Sequence, residues 1–342
     1  MESTSLDGVA LHNVAETVPA EWAEGGEQLC RVPESVGEKL NEDARERVRH
    51  PTNGEIRFVP ADDETEVEVT LSAAAETHVR VFWGSFQRPF RPWDPIEVGP
   101  EPRTLTFSVP ERIARLDAAA ETGRFDPRVC RILFERLPAA AIHDVSGDCR
   151  PPTADELPEA RYLAYGTSIT EGAAATAPHL NFVSHVARER GYDALNLGCS
   201  GSAYCEAAMA EHIAGREDWD VATLELSVNM ANAEFSVGEF RERVETFVDT
   251  VAGAHPETPV VCVTLFPYFA DVVANEDAGR AADFREAVRN VVVESAHENV
   301  SLIEGAELLD TPGLTTDVLH PGDAGMGTIG RALAERLDAV VD

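Results

Sequence analysis

Serine, histidine and aspartate occur in this sequence in a pattern suited to acyl transfer. Ser168 lies in Gly166-Thr-Ser-Ile-Thr-Glu-Gly172, and Asp317 and His320 lie in Thr316-Asp-Val-Leu-His-Pro-Gly322. A serine hydroxyl is a weak nucleophile until an adjacent base takes its proton. An imidazole base in turn needs a carboxylate to fix its tautomer. Asp317 and His320 are three residues apart, which on one helical turn puts them on the same side. Asp317 then holds the Nδ1–H of His320 and leaves Nε2 free as a base. The tetrahedral intermediate carries an oxyanion, and each donor aimed at it is worth roughly 3–4 kcal/mol. The candidate donors are the backbone N–H groups of Ser168 and Gly201 and the side-chain amide of Asn229. Taken singly, each residue has a plainer reading: Ser168 as a helix N-cap, His320 as a surface residue, Asp317 as an N-terminal turn residue, Gly201 as a turn former, Asn229 as a partner for buried backbone. Only the set carries the chemistry. His179 and Tyr268 are weaker candidates for substrate contact. His185, His212 and His297 are scattered through helical stretches and do not read as metal ligands.

These residues need elements that bring them together. From about residue 160, short apolar runs alternate with stretches of helical period. The runs are Tyr162–Tyr165, Ala194–Leu197, Val221–Leu226, Val260–Phe266 and Val300–Ile303; the helical stretches are roughly 178–190, 203–215, 236–253, 279–297 and 323–341. Runs apolar on both faces belong to a parallel sheet covered by helices. Five such units predict a doubly wound α/β domain over 161–342, with its ligand at the carboxyl ends of the strands. Ser168, Gly201 and Asn229 follow the first three runs.

Residues 1–150 read differently. Glu55–Val59, Glu66–Leu71, His78–Trp83, Arg103–Val109 and Arg128–Phe134 alternate with period two and are separated by turn residues, which predicts an antiparallel β-sandwich. A helical stretch around Ser35 to Val48 is expected to pack on that sandwich or at a domain seam. Residues 151–160 read as a linker, overlapping a Pro-rich run from Asp148 to Pro158. Trp83, Phe86, Phe90 and Trp93, with Arg88 and Arg91, suit either core packing or contact with a sugar or acyl group.

The charge is unusual. Asp and Glu number 61 against 28 Lys and Arg, for a formal net charge of −33, and Lys39 is the sole lysine. Such a surface repels phosphate backbones and anionic lipid, so nucleic acid and membranes are not expected partners. The acid is distributed rather than gathered in a tail, which points to solubility in concentrated salt, where self-repulsion is screened. The six cysteines show no CxxC spacing, Cys199 and Cys262 sit in strand-like apolar contexts, and the first thirty residues lack signal-peptide character. A halophilic, reducing cytoplasm is the expectation.

In order and spacing, Gly166-Thr-Ser168, Ser200-Gly201, Ser227-Val-Asn229-Met230 and Asp317-Val-Leu-His320 resemble the four blocks of the SGNH (GDSL-like) hydrolase superfamily. Thr167 and Met230 stand where that pattern usually has Asp, and Ser227 where it has Gly. The resemblance covers about 160 to 342. It implies a flavodoxin-like three-layer α/β/α domain of five parallel strands, here preceded by a jelly-roll-like sandwich. It also implies hydrolysis of short acyl esters of sugars or alcohols, so that the expected partner is a small-molecule or glycan ester. The resemblance implies no metal and no organic cofactor. Two-domain members include carbohydrate esterases and acyltransferases that use an acceptor other than water. A non-catalytic carbohydrate-binding role for the sandwich is the third reading.

Overall fold

Alternating and continuous apolar patterns separate into two units in the computed structural model, which describes residues 5, 6, 8–117 and 123–341. One unit comprises the chain up to Glu34 and Val48–Glu159; the other comprises Ser35–Arg47 and the chain from Ala160 onward.

The first unit is a sandwich of antiparallel sheets. Strands Glu55–Pro60, Cys130–Phe134 and Thr77–Trp83 form the middle of one sheet. Arg103–Phe107, Val67–Ala73, Ala140–Ser146, Glu27–Cys30 and Glu16–Pro19 form the other, in that order. Alternate residues of both sheets, among them Ile56, Phe58, Val81 and Ile132 from one and Val69, Leu71, Phe107 and Ile142 from the other, share one core. Each such side chain contributes roughly 1.5–3 kcal/mol on burial. In the Pro-rich run, Cys149–Arg150 pairs with the Glu55–Pro60 strand, and Glu156 closes a capping box with Thr153. The aromatic loop divides, with Trp83 buried in the core and Trp93 80% exposed.

The second unit carries five parallel strands: β1 (Ala160–Gly166), β2 (Tyr192–Gly198), β3 (Val221–Glu225), β4 (Val260–Val263) and β5 (Val300–Ile303). Their spatial order is β2-β1-β3-β4-β5, the doubly wound order whose crevice opens between β1 and β3. β3 and β4 are buried at every position, as expected of strands covered on both faces. Five main helices follow: α1 (Phe182–Arg190), α2 (Ala207–Ala214), α3 (Val237–Ala254), α4 (Ala278–Glu294) and α5 (Asp323–Val341). α1 packs with α5, and α3 packs with both α2 and α4, giving two helical layers. α3 shows how sequence dictates this. Ser236 and Glu239 close a capping box at its start. Phe240, Val244, Phe247, Val248 and Val251 then form one buried stripe. Phe247 stacks on Tyr165 at the end of β1, with ring centroids 4.6 Å apart.

The segment 35–47 groups with the α/β unit rather than with the sandwich that surrounds it in sequence. Asn41 caps the helix Glu42–Val48 by accepting from the Ala44 N–H. All six cysteines are free, and Cys199 and Cys262 are buried. Among the described residues, no helix is long and apolar enough to cross a membrane.

Candidate active site

The carboxyl ends of β2, β1 and β3, three adjacent strands, carry Gly201, Ser168 and Asn229. Ser168 opens the short helix Ser168–Glu171, with Thr167 as its N-cap. It is 5% exposed, so its hydroxyl is nearly dry. Its Oγ lies 2.8 Å from Nε2 of His320. The His320 Nδ1 lies 2.7 Å from Oδ2 of Asp317. The three side chains therefore form one continuous hydrogen-bonded chain.

Asp317 and His320 meet in a turn, not on the helical turn expected from their spacing. Leu314 bridges Pro321, and the Thr315 N–H donates to the His320 carbonyl, so the loop closes on itself. Val318, between the two, has φ 55°, a left-handed conformation that no helix contains. The loop converges its donors on Asp317 Oδ1, which accepts from the Thr315 hydroxyl and from the Leu319 and His320 N–H groups. Burial pushes the Asp317 carboxyl up, but the His320 ring and these donors outweigh it and hold the group well below the usual carboxylate range. Asp317 is thus a fixed anion beside the imidazole.

The Gly201 loop is held from three sides. Gly201 has φ 73°, which favours glycine, and a Cβ there would meet open space, so the loop backbone is accessible. Tyr165 on β1 accepts from the Cys205 N–H through its hydroxyl. Glu171, on the Ser168 helix, accepts from the Ser200 N–H. Asn41 donates to the Ser202 carbonyl and, through its side chain and backbone N–H, to Glu206. Beside this loop, Asn229 accepts from the Ala203 N–H through Oδ1, which fixes which end of its amide is turned away. Ser227, in the position of a usual Gly, donates to the Ala203 carbonyl at 2.6 Å. Met230, in the position of a usual Asp, is fully buried.

Beneath Ser168 lies a carboxyl that the candidate set lacked. Glu225, the last residue of β3, is 2% exposed. Its Oε2 accepts from the Thr167 N–H at 2.7 Å, the Thr167 hydroxyl at 2.6 Å and the Thr170 hydroxyl at 3.2 Å. Its Oε1 is buried with no hydrogen-bond partner. Burial raises its pKa to about 7 despite those donors. A glutamate inside the apolar run Val221–Leu226 is the sequence signal that marks it. Asn196 was equally legible as a polar residue in a buried strand; it donates to the Thr170 carbonyl and accepts from the Gly198 N–H.

Of the weaker candidates, Tyr268 is 2% exposed and packs edge-on against Phe269, within the core. His179 is half-buried in the turn Pro178–Leu180, ahead of α1.

Residues 159–338 match the model of the GDSL-like lipase/acylhydrolase family. The chain belongs to this family. A β-rich unit precedes the GDSL-like domain in the sequence. No curated protein matches the chain. Among solved structures, it is similar to a salicylyl-acyltransferase from a tetracycline biosynthetic pathway, with 17% identity and a TM-score of 0.74 over 99% of this chain and 96% of that one. It is also similar to family two carbohydrate esterases. The one from Clostridium thermocellum, in complex with cellohexaose, is 14% identical with a TM-score of 0.62 over 96% and 98% of the chains. The one from Cellvibrio japonicus is 12% identical with a TM-score of 0.65 over 99% and 97%. At these identities the likeness establishes the fold, and this GDSL-like protein shares it along nearly its whole length.

Proposed function

We propose that this GDSL-like protein is a serine esterase that cleaves short acyl, acetyl-type esters of a sugar or small alcohol. The observation that carries the reading is the hydrogen-bonded chain Ser168–His320–Asp317 at the mouth of the β1–β3 crevice. Ser168 Oγ attacks the ester carbonyl as His320 Nε2 takes its proton. Asp317, already anionic, stabilises the imidazolium that forms and keeps the ring oriented. The Ser168 and Gly201 N–H groups and the Asn229 amide receive the negative charge that develops on the carbonyl oxygen. The intermediate collapses, the C–O bond to the alcohol breaks, and His320 returns the proton to the leaving oxygen. Water, deprotonated by His320, then attacks the acyl-Ser168 ester and releases the acid. The carbohydrate esterases among the structural relatives support the sugar-ester substrate class.

The likeness to an acyltransferase supports a second reading, in which an alcohol or amine replaces water in the last step. The distributed negative charge supports a working environment of concentrated salt, and we place the enzyme in a halophilic cytoplasm. The test is hydrolysis of p-nitrophenyl acetate and butyrate in about 2–3 M KCl, where charge repulsion is screened. Ser168→Ala is expected to lower kcat by roughly 10⁴-fold or more. Release of p-nitrophenol that survives the substitution overturns the serine mechanism. Product analysis with added alcohols separates hydrolysis from transfer. Glycan binding without turnover by either form supports a binding role instead.

A further inference from the structure

Glu225 has no part in the chemistry described above, yet it is buried directly behind the nucleophile. We propose that Glu225 is a positioning residue for Ser168, locking the turn that carries the nucleophile to the strand that leads to Asn229. The inference rests on the serine reading and deepens it.

The geometry is specific. One carboxyl oxygen, Oε2, collects all three donors, and all three belong to the residues flanking Ser168: Thr167 through its N–H and hydroxyl, and Thr170 through its hydroxyl. Hydrogen bonds at 2.6–2.7 Å to an ionised oxygen are the strong kind, about twice a neutral bond. Gly166 permits the approach, because a Cβ there would lie 2.7 Å from Glu225 Oε2. Two and four residues beyond that strand end, Ser227 and Asn229 grip Ala203 beside the Gly201 loop. Residues 225–229 therefore fix the nucleophile turn and the Gly201 loop to one support. The proposed oxyanion donors of three separate loops thereby hold a common frame.

The arrangement is a poor one for stability. Glu225 Oε1 has no partner, and no Arg, Lys or His is among the groups that hydrogen-bond to Oε2. An apolar residue at a strand end would fill the space without that cost. A buried carboxyl without a cation, placed under a nucleophile, fits a role in alignment.

The experiment compares Glu225→Gln, Thr167→Val and Thr167→Ser with the wild type at pH 8.5. It measures kcat and KM on p-nitrophenyl acetate. It also measures the rate at which an alkyl fluorophosphonate phosphonylates Ser168, releasing fluoride, read by intact-protein mass. Thr167→Val is expected to lower kcat and the labelling rate roughly 10-fold, the worth of one charge-assisted hydrogen bond. Glu225→Gln is expected to lower them by up to about 100-fold, as a 1 Å misplacement does. KM should stay within about twofold in both, since substrate contacts are untouched. Thr167→Ser should restore the wild-type rate. Wild-type rates in both Glu225→Gln and Thr167→Val, or a raised KM with unchanged kcat, overturn the positioning role. A wild type that is neither labelled nor active overturns the serine reading itself, and the proposal with it. The Thr167 pair keeps the question open to decision if Glu225→Gln does not fold.

Discussion

Glu55 in the sandwich and Glu225 in the α/β unit are both buried strand-end carboxyls, 4% and 2% exposed. Glu55 meets two guanidinium groups. Arg57 Nε lies 2.6 Å from its Oε2, and Arg131 reaches both oxygens, at 2.5 and 2.8 Å. Arg131 also stacks over Phe125, 3.7 Å from its ring centroid. Burial pushes the Glu55 carboxyl up, but the two cations more than offset it and bring the pKa down to about 2. Glu225 has only hydroxyl and N–H donors, and burial wins, raising it to about 7. The same residue type at the same depth is thus shifted in opposite directions, decided by whether a cation is near. The sandwich uses buried charge as a matched structural pair. The α/β unit leaves one unmatched, and does so beneath the nucleophile.

This contrast can be broken experimentally. Glu55→Gln removes the carboxylate that Arg57 and Arg131 share, and removing one partner of a buried pair costs about 3–5 kcal/mol. Denaturant unfolding should show that loss throughout pH 5–9, with no recovery at either end. Glu225→Gln should behave otherwise. The folded-state pKa of Glu225 is raised, so the native wild type holds a proton that the unfolded chain has lost between about pH 4.5 and 7. Stability then falls as pH rises through that window, by on the order of 3 kcal/mol. The Gln variant lacks this slope, so its stability relative to wild type should improve from pH 5 to 8. A constant difference between the two proteins across that range would show that Glu225 is ionised throughout. The smallest effect isolates the neutral case. Tyr162 on β1 hydrogen-bonds Thr223 on β3 at 2.6 Å, both buried. Tyr162→Phe should cost about 1–2 kcal/mol, independent of pH between 5 and 8.

The parts legible in the sequence were those set by burial on both faces. All five parallel strands lie on the predicted apolar runs, because a continuous apolar segment between turns has few alternatives. The sandwich was read in five of its strands; the seven-residue Ala140–Ser146 was missed, its alternation broken by a register shift between Ile142 and Asp144. Val9–His12, Glu16–Pro19 and Glu27–Cys30 are four residues each with mixed burial, too short for alternation to show. The spacing of Asp317 and His320 did announce a contact, but not its backbone. A left-handed valine at 318 has no signature in residue type. Glu225 was visible as a charge in an apolar strand, yet its meaning depends on which loop lies above it, and register decides that. Asn41 was beyond reach for another reason: it acts on Ser202 and Glu206, about 160 positions away, and nothing local marks such a partner.

That last distance has a consequence for how the molecule is made. Segment 35–47 leaves the ribosome long before the loop it braces. At ~5–20 residues per second, the interval between Arg47 and Ser202 is roughly 10–30 s. Most of the sandwich unit, Val48–Glu159, is synthesised in between. Closing so large a loop is entropically slow, so the brace is expected to dock among the last events of folding. A chain begun at residue 160 would lack it altogether, and the Gly201 loop would then rest on only two of its three supports.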